Sequence, residues 1–155
     1  MKVAILIILS AYALVATGHS DTSNFVLVKE SDGISLYERW YRTGDSGSAR
    51  EIKATFTLDA QSQEAVQLIR NEERGTAWNK NTKVYKVLQG SDDEWLGYIQ
   101  YSLPWPASNQ DCVLRYTRSD KGDIVQVDFR DADHPSFPVQ KKVQRIPSIS
   151  GRWIF

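Results

Sequence analysis

Apolar and polar residues alternate along residues 51–58. One face of this segment carries only apolar side chains: Ile52, Ala54, Phe56 and Leu58. The other face carries charged and hydroxyl side chains: Glu51, Lys53, Thr55 and Thr57. A period of two predicts a β-strand with one buried and one solvated face. The preceding residues 34–41 are rich in aliphatic and aromatic side chains and predict another strand.

A segment with helical spacing follows this strand. Its apolar positions are Ala65, Leu68 and Ile69, with charged residues between and beside them. This spacing predicts an amphipathic helix, which Asp59 or Ser62 can cap at its start. We expect the helix to run to about Arg74, because Gly75 is a residue at which helices commonly end.

Four strand-like runs come after the helix: residues 82–89, 95–103, 111–118 and 124–130. Turn-forming Gly, Ser, Asp and Pro residues separate them. Short connections make consecutive strands antiparallel neighbours. The sequence therefore predicts one α+β domain, in which strands, a helical crossing and a meander follow one another.

The N-terminal residues have the pattern of a secretory signal peptide. Lys2 precedes an apolar run from Val3 to Val15, and small residues follow up to Gly18. The run is shorter than the roughly 20 residues that a membrane-spanning helix needs, which disfavours an anchor. We expect residues 1–18 to be cleaved and residues 19–155 to form the mature domain, secreted or, in a double-membraned bacterium, periplasmic.

Composition narrows the functions that this domain can have. Nineteen basic residues balance nineteen acidic ones, so bulk charge does not favour nucleic acid as a partner. The single cysteine, Cys112, excludes an intrachain disulfide. Five Trp, seven Tyr and five Phe residues indicate an aromatic core or an aromatic-lined cavity.

Candidate catalytic and metal sites have simpler structural explanations. Residues 44–47 read Gly-Asp-Ser-Gly, as around a protease nucleophile, but the only histidine before them is His19, beside the predicted cleavage site. Asp131, Asp133 and His134 are close in sequence, yet they also fit a surface turn with the prolines that follow. We therefore predict no catalytic residue, no metal ligand and no cofactor.

Several short motifs occur in a characteristic order along the chain. They are Asp32-Gly33-Ile34 with Leu36-Tyr37, Glu51-Ile52-Lys53-Ala54, Trp78-Asn79, Tyr98 to Tyr101, Pro104-Trp105-Pro106, Asp111 and Gly151-Arg152-Trp153. In this order the chain resembles the START lipid-transfer domains of the helix-grip superfamily. The resemblance implies a curved antiparallel β-sheet with helices crossing its concave face.

Two positions depart from the family pattern. Gln110 stands where these domains usually have an Arg, so that the Arg-mediated anchoring of the neighbouring loop is not expected here. The family also continues with a long C-terminal helix across the mouth of the sheet, whereas this sequence stops at Phe155. We expect that helix to be missing from this chain, either because the sequence is truncated or because another chain supplies the wall.

A pocket between a curved sheet and its helices would be lined by the inward faces of the strands. Alternation and the resemblance together nominate Phe56, Ile99, Tyr101, Leu103, Leu114, Tyr116, Val125, Val127 and Phe129. The same residues could equally form a packed core. The hydroxyl of Tyr101 or Tyr116 could bind a ligand headgroup or a backbone carbonyl.

The favoured hypothesis is an exported, non-catalytic binding protein for a lipid, fatty acid or sterol-like ligand. One alternative is an enzyme of the polyketide cyclase or hydrolase kind on the same fold, which would need an inward acid or histidine; Glu38 is the one candidate. Another is an interaction module that meets a protein partner, or transiently a membrane, through the turn at residues 104–106.

Overall fold

The computed structural model describes residues 24–43, 47–88 and 90–155, together with the backbone of residues 2–12. Within them the chain forms ten strands and two helices. In chain order these are β1 Lys2–Tyr12, β2 Val26–Ser31, β3 Ile34–Thr43, β4 Gly47–Asp59, α1 Ser62–Ile69, α2 Gly75–Trp78, β5 Thr82–Leu88, β6 Glu94–Tyr101, β7 Asn109–Lys121, β8 Ile124–Asp131, β9 Val143–Arg145 and β10 Ser150–Ile154.

These strands form one sheet in the order β2-β3-β4-β1-β10-β8-β7-β6-β5, and β9 lies parallel to β7. The other neighbouring strands are antiparallel. Strand β10 is internal, between β1 and β8. Helix α1 packs on β8 and α2 on β5. The face of the sheet that carries the helices is called the inner face below, and the opposite one the outer face. The predicted α+β class is confirmed.

The helical crossing differs from the single helix expected to reach Arg74. Helix α1 ends at Ile69, and α2 begins at Gly75, the residue expected to end the helix. The carbonyl oxygen of Ile69 accepts a hydrogen bond from the Tyr85 hydroxyl at 2.8 Å. Asn71 Oδ1 accepts the backbone N–H of Arg74 at 2.9 Å. These bonds favour a turn between the helices, because they use backbone groups that a continuous helix would pair internally.

The start of α1 also differs from the expected caps. Gln61 is the N-cap, whereas Asp59 lies in β4 and Ser62 is the first helical residue. The Gln61 backbone N–H donates to the Glu64 carboxylate at 2.9 Å, which forms the return half of a capping box. A glutamine at the cap gave no sequence signal, since Ser, Thr, Asp and Asn are the usual residues there.

Strand β1 lies in the part of the chain predicted to be a signal peptide. Its backbone pairs with β4 on one side and β10 on the other. Residues 13–23, which include the predicted cleavage point, lie outside the described residues. A peptide removed on export would leave β4 and β10 as two facing edges. The signal peptide, and with it export, stays a prediction of the sequence.

The core lies between the inner face and the helices. Its centre is a stacked pair, Trp95 and Tyr116, whose ring centroids are 5.1 Å apart. Gly75 lies directly on the ring of Tyr85, where a Cβ atom would come within 2.1 Å of the ring carbon Cγ. Only glycine allows α2 to approach β5 so closely. Neither helix in the described part of the chain is long and apolar enough to cross a membrane.

The outer face is covered near β6 and β7 by residues 132–146. Asp111, which is 1% exposed, forms two hydrogen bonds with Arg145 of β9, at 2.6 and 3.2 Å. The Tyr98 hydroxyl donates to the same carboxylate at 3.1 Å, and its ring stacks on Phe137. An arginine therefore does hold this region, but it comes from β9 and not from the position of Gln110.

Candidate ligand-binding cavity

A cavity of about 840 Å³ opens between the inner face and the helices. The described residues of its sheet wall are all apolar: Phe56 and Leu58 from β4, with Trp153 of β10 and Phe155 just after it. Apolar residues also line its helix side: Ala60, Ala65, Leu68, Ile69 and Trp78. This volume lies within the range of small-molecule binding sites.

Strand and helix periodicity bring these side chains together. Phe56 and Leu58 are two residues apart on β4, so they point to the same face. Trp153 and Phe155 follow the same rule, and their rings stack with centroids 6.3 Å apart. Leu68 is three residues after Ala65 on α1, which places both on one side of the helix. The cavity is therefore the space left between an apolar strand face and an apolar helix face.

Trp78 of α2 closes one side of this space. Its ring meets Trp153 and Tyr85 edge to face, with centroids 6.0 and 5.9 Å away. The indole Nε1 is buried and has no hydrogen-bond partner in the described part of the chain. Edge-to-face contacts of this kind add to the stabilisation that burial provides and hold the aromatic wall in place.

Among the described residues, the polar side chains of the cavity come from the helical region. They are Glu64, Gln67, Asn71 and Arg74. The Glu64 carboxylate is occupied by the backbone N–H of Gln61, and the Asn71 oxygen by the backbone N–H of Arg74. The Asn71 amide N–H group and the exposed Arg74 guanidinium remain as donors at the rim. The described lining of the cavity is thus apolar on the sheet side and partly polar at the rim on the helix side.

The structure places the predicted lining residues on the inner face, and most of them pack against one another. Ile99, Leu114, Tyr116, Val127 and Phe129 are buried in one core cluster. Tyr101, Val125 and Phe56 are partly buried against that cluster, and Leu103 is half-buried at the end of β6. Of this predicted set, Phe56 lines the cavity described here. Ligand contact by the others stays a prediction.

Sequence reasoning missed most of the cavity wall. Alternation places Leu58 on the pocket face together with Phe56, and Leu58 does line the cavity. Ala65, Leu68 and Ile69 were recognised as a helix face but were not expected to line a pocket. Trp78 and Trp153 appeared only as landmarks of the family resemblance. The signal that could have found them is the helical spacing itself, because the apolar face of an amphipathic helix packs against apolar side chains of the sheet.

The tyrosine hydroxyls of the core are neutral and buried. Burial raises the pKa of Tyr116 well above its ordinary value, and burial likewise raises the pKa of Tyr101. Burial also raises the pKa of the Cys112 thiol to about 12, so this side chain stays protonated at neutral pH. None of these groups lines the cavity. Their environment suits packing, since no anionic nucleophile is stabilised there.

The other candidate chemical groups do not reach the cavity. Glu38 lies on the same face as Phe56 but is ion-paired with Arg50, whose Nε donates to it at 2.8 Å. His134 Nδ1 accepts the backbone N–H of Ser136 within a turn. Among the described residues, no three His, Cys, Asp or Glu side chains are grouped as a metal ion requires. The serine of the Gly-Asp-Ser-Gly motif lies outside the described residues.

The architecture is that of the START domain, a helix-grip fold with a curved antiparallel sheet and helices across its concave face, as the sequence resemblance implied. The solved STAR-related lipid transfer protein (fragment 25–204) from Xanthomonas axonopodis matches with a TM-score of 0.68 and 23% identity, over 84% of this chain and 80% of that one. Human STARD10 matches with a TM-score of 0.64 and 14% identity, over 87% and 61% of the two chains.

Human StAR-related lipid transfer protein 5 has a TM-score of 0.62 and 15% identity, over 88% of this chain and 73% of that one. In sequence, an uncharacterized protein of Pseudomonas aeruginosa is 25% identical over 148 residues, which are 94% of this chain and 71% of that protein. No family model matches the sequence. At these identities the comparisons show a shared fold.

Proposed function

We propose that this protein is an exported, non-catalytic carrier or sensor of a hydrophobic small molecule, held between the sheet and the helices. The observation that carries the proposal is the cavity of about 840 Å³, in which every described residue on the sheet side is apolar. Each methylene group buried there is worth about 0.8 kcal/mol. Burial of the apolar surface of a long acyl chain or a sterol, in a cavity of matching shape, is therefore enough to bind it.

The distribution of polar groups favours an amphiphile in one orientation. Its apolar part lies against Phe56 and Trp153, on the side of the cavity where all the described lining residues are apolar. Its polar end lies at the rim beside Asn71 and Arg74. A fatty acid fits this arrangement, because hydrogen-bond donors at the rim can meet its carboxylate.

The same lining argues against catalysis. A reaction on a bound ligand needs an acid or base within hydrogen-bond reach. The acid that lines the cavity in the described residues is Glu64, and its carboxylate already caps α1. Two of the three solved proteins named above, the one from Xanthomonas axonopodis and human StAR-related lipid transfer protein 5, are described as lipid transfer proteins.

A direct test is the binding of a fluorescent fatty acid, 11-(dansylamino)undecanoic acid, to the purified protein. Ala65→Phe places a ring in the cavity and should weaken binding at least about tenfold, the cost of displacing two or so methylene groups. Ala77→Phe is the matched control, because Ala77 is exposed on α2 and does not line the cavity. Equal binding by both variants, with unchanged circular dichroism, would refute the cavity as the binding site.

Export has its own test. Expression of the full sequence in a double-membraned bacterium, followed by N-terminal sequencing, should yield protein that begins near His19 and lies outside the cytoplasm. Protein that retains Met1 or begins at Lys2 in the cytoplasm would contradict export and would leave ligand binding untouched.

One exposed feature supports a second function, contact with a membrane surface. Trp105 is 91% exposed between Pro104 and Pro106, although large aromatic side chains are usually at least half-buried. Tryptophan is enriched at membrane interfaces. Trp105→Ser should reduce co-sedimentation with phosphatidylcholine vesicles, and an unchanged bound fraction would exclude this role for the turn.

A further inference from the structure

The outer face of the sheet carries a second concavity, far from the helices. It has a volume of about 580 Å³, and strands β7, β8 and β10 form most of it. Its arginines outnumber its acids, in contrast with the balanced charge of the whole chain. Because the sheet separates it from the inner face, this groove is independent of the cavity proposed to hold the hydrophobic ligand.

Strand register arranges the polar side chains of the groove in two rows. Ser150, Arg130 and Arg115 are direct cross-strand partners on β10, β8 and β7. In the next row, Arg152, Asp128 and Thr117 are partners on the same strands. Neighbouring strands lie about 4.8 Å apart, so each row spans roughly 10 Å. These three residues of the first row are hydrogen-bond donors. The acid of the groove in line with this row, Glu51, lies two strands beyond Ser150 and is ion-paired with Arg39.

Arg115 directly opposite Arg130 is an unfavourable pair, because like charges at cross-strand positions destabilise a sheet. Arg115 donates one guanidinium N–H to Glu94 at 2.6 Å. Arg152 is ion-paired with Asp128 at 3.3 Å. Arg130 forms no ion pair with any residue that the structure describes. Positive charge therefore remains uncompensated at the middle of the first row.

From this row we infer that the groove is a binding site for a phosphate-type dianion. Two guanidinium groups and the Ser150 hydroxyl line the groove from three adjacent strands, and an oxyanion bound beside them would offset the repulsion between Arg115 and Arg130. Arginine is the side chain best suited to such recognition, because its planar fork offers two N–H groups to two oxygens. The dianion is either free phosphate or the phosphate of a larger molecule such as a lipid headgroup.

The test measures the affinity of the purified protein for inorganic phosphate by calorimetry at low ionic strength, with sodium chloride at equal ionic strength as the reference. Arg130→Gln should weaken binding about tenfold, the loss of one charge-assisted contact. Arg42→Gln is the matched control, because this exposed arginine on β3 lies outside the groove, and its affinity should equal that of the wild type.

The variant Asp128→Asn separates an effect on the site from damage to the fold, because tighter phosphate binding is expected and a damaged fold would weaken it. Removing this acid should tighten phosphate binding about threefold, because it frees Arg152 and removes a nearby negative charge. Equal affinities for all the variants, or no heat of binding beyond that of chloride, would overturn the proposal unless the vesicle measurement below supports it.

Vesicles distinguish the two sources of the dianion. If the site takes a lipid headgroup, the protein should co-sediment with vesicles that contain phosphatidic acid, and Arg130→Gln should lose that binding. If it takes a soluble phosphate, calorimetry should show binding, and phosphatidic acid should add nothing to the fraction that co-sediments with phosphatidylcholine vesicles alone. Binding to neither ligand, or binding to vesicles that Arg130→Gln leaves unchanged, would show that the groove is no phosphate site.

Discussion

Replacing Asp111 by Ala should destabilise the domain strongly, because it leaves the Arg145 guanidinium without its carboxylate. Asp111 is 1% exposed and the Arg145 side chain 17% exposed, so water replaces little of what is lost. Breaking a buried ion pair from one side costs about 3–5 kcal/mol. Arg145 keeps its hydrogen bond to the Phe137 carbonyl at 3.0 Å, which places the expected cost near the lower value, about 3 kcal/mol.

Urea unfolding followed by tryptophan fluorescence measures this cost, and thermal unfolding should show a fall in Tm of roughly 6–12 °C for a domain of this size. Asp120→Ala is the matched control. Asp120 also pairs with an arginine, Arg118, but its side chain is 52% exposed, and such pairs are worth less than about 1 kcal/mol. Costs within about 1 kcal/mol of each other would refute the claim that burial makes the Asp111 pair important.

Three further predictions concern buried groups. The Cys112 thiol, with its pKa raised by burial to about 12, should not react with a thiol reagent at pH 8 until the protein unfolds; rapid labelling of native protein would contradict its burial. Gly75→Ala should cost at least about 2 kcal/mol in urea unfolding, since its Cβ would overlap the Tyr85 ring, and a neutral effect would show that α2 can move away. Burial also raises the pKa of Tyr98 to about 12. A raised folded-state pKa means that stability is fully present below about pH 10 and is lost towards pH 12, and Tyr98→Phe should flatten this fall in the urea midpoint.

The regular strands were predictable from the sequence because each has one buried and one wetter face. Strands β4, β6, β7 and β8 all fall where alternation or strand-rich composition predicts them, and their inward residues are those expected. Strand β2 gave no such signal, since it is exposed along its whole length at the edge of the sheet. The break between α1 and α2 was also missed, because it depends on the Tyr85 hydroxyl, which approaches from a distant strand.

The cavity could be predicted only in part. Alternation identifies which side chains face inward, but it does not tell whether those side chains meet each other or leave a space. At the middle of the sheet, large residues such as Trp95 and Tyr116 fill the volume below the helices. Near β4 and β10, the side chains of α1 and α2 do not fill the space between the helices and the sheet, and this space is the cavity. The difference depends on the positions of α1 and α2 relative to the sheet, which the local sequence pattern does not determine.

The internal position of β10 makes the wall of the cavity depend on two segments that lie far apart in the chain. Trp153 and Phe155 complete the aromatic wall, and the backbone of Phe155 exchanges hydrogen bonds with Val125 at 2.9 and 3.0 Å. The opposite part of the wall, on β4, is made almost a hundred residues earlier. The wall therefore exists only after β10 has paired into the sheet, and deletion of residues 152–155 should remove both aromatic rings from the cavity.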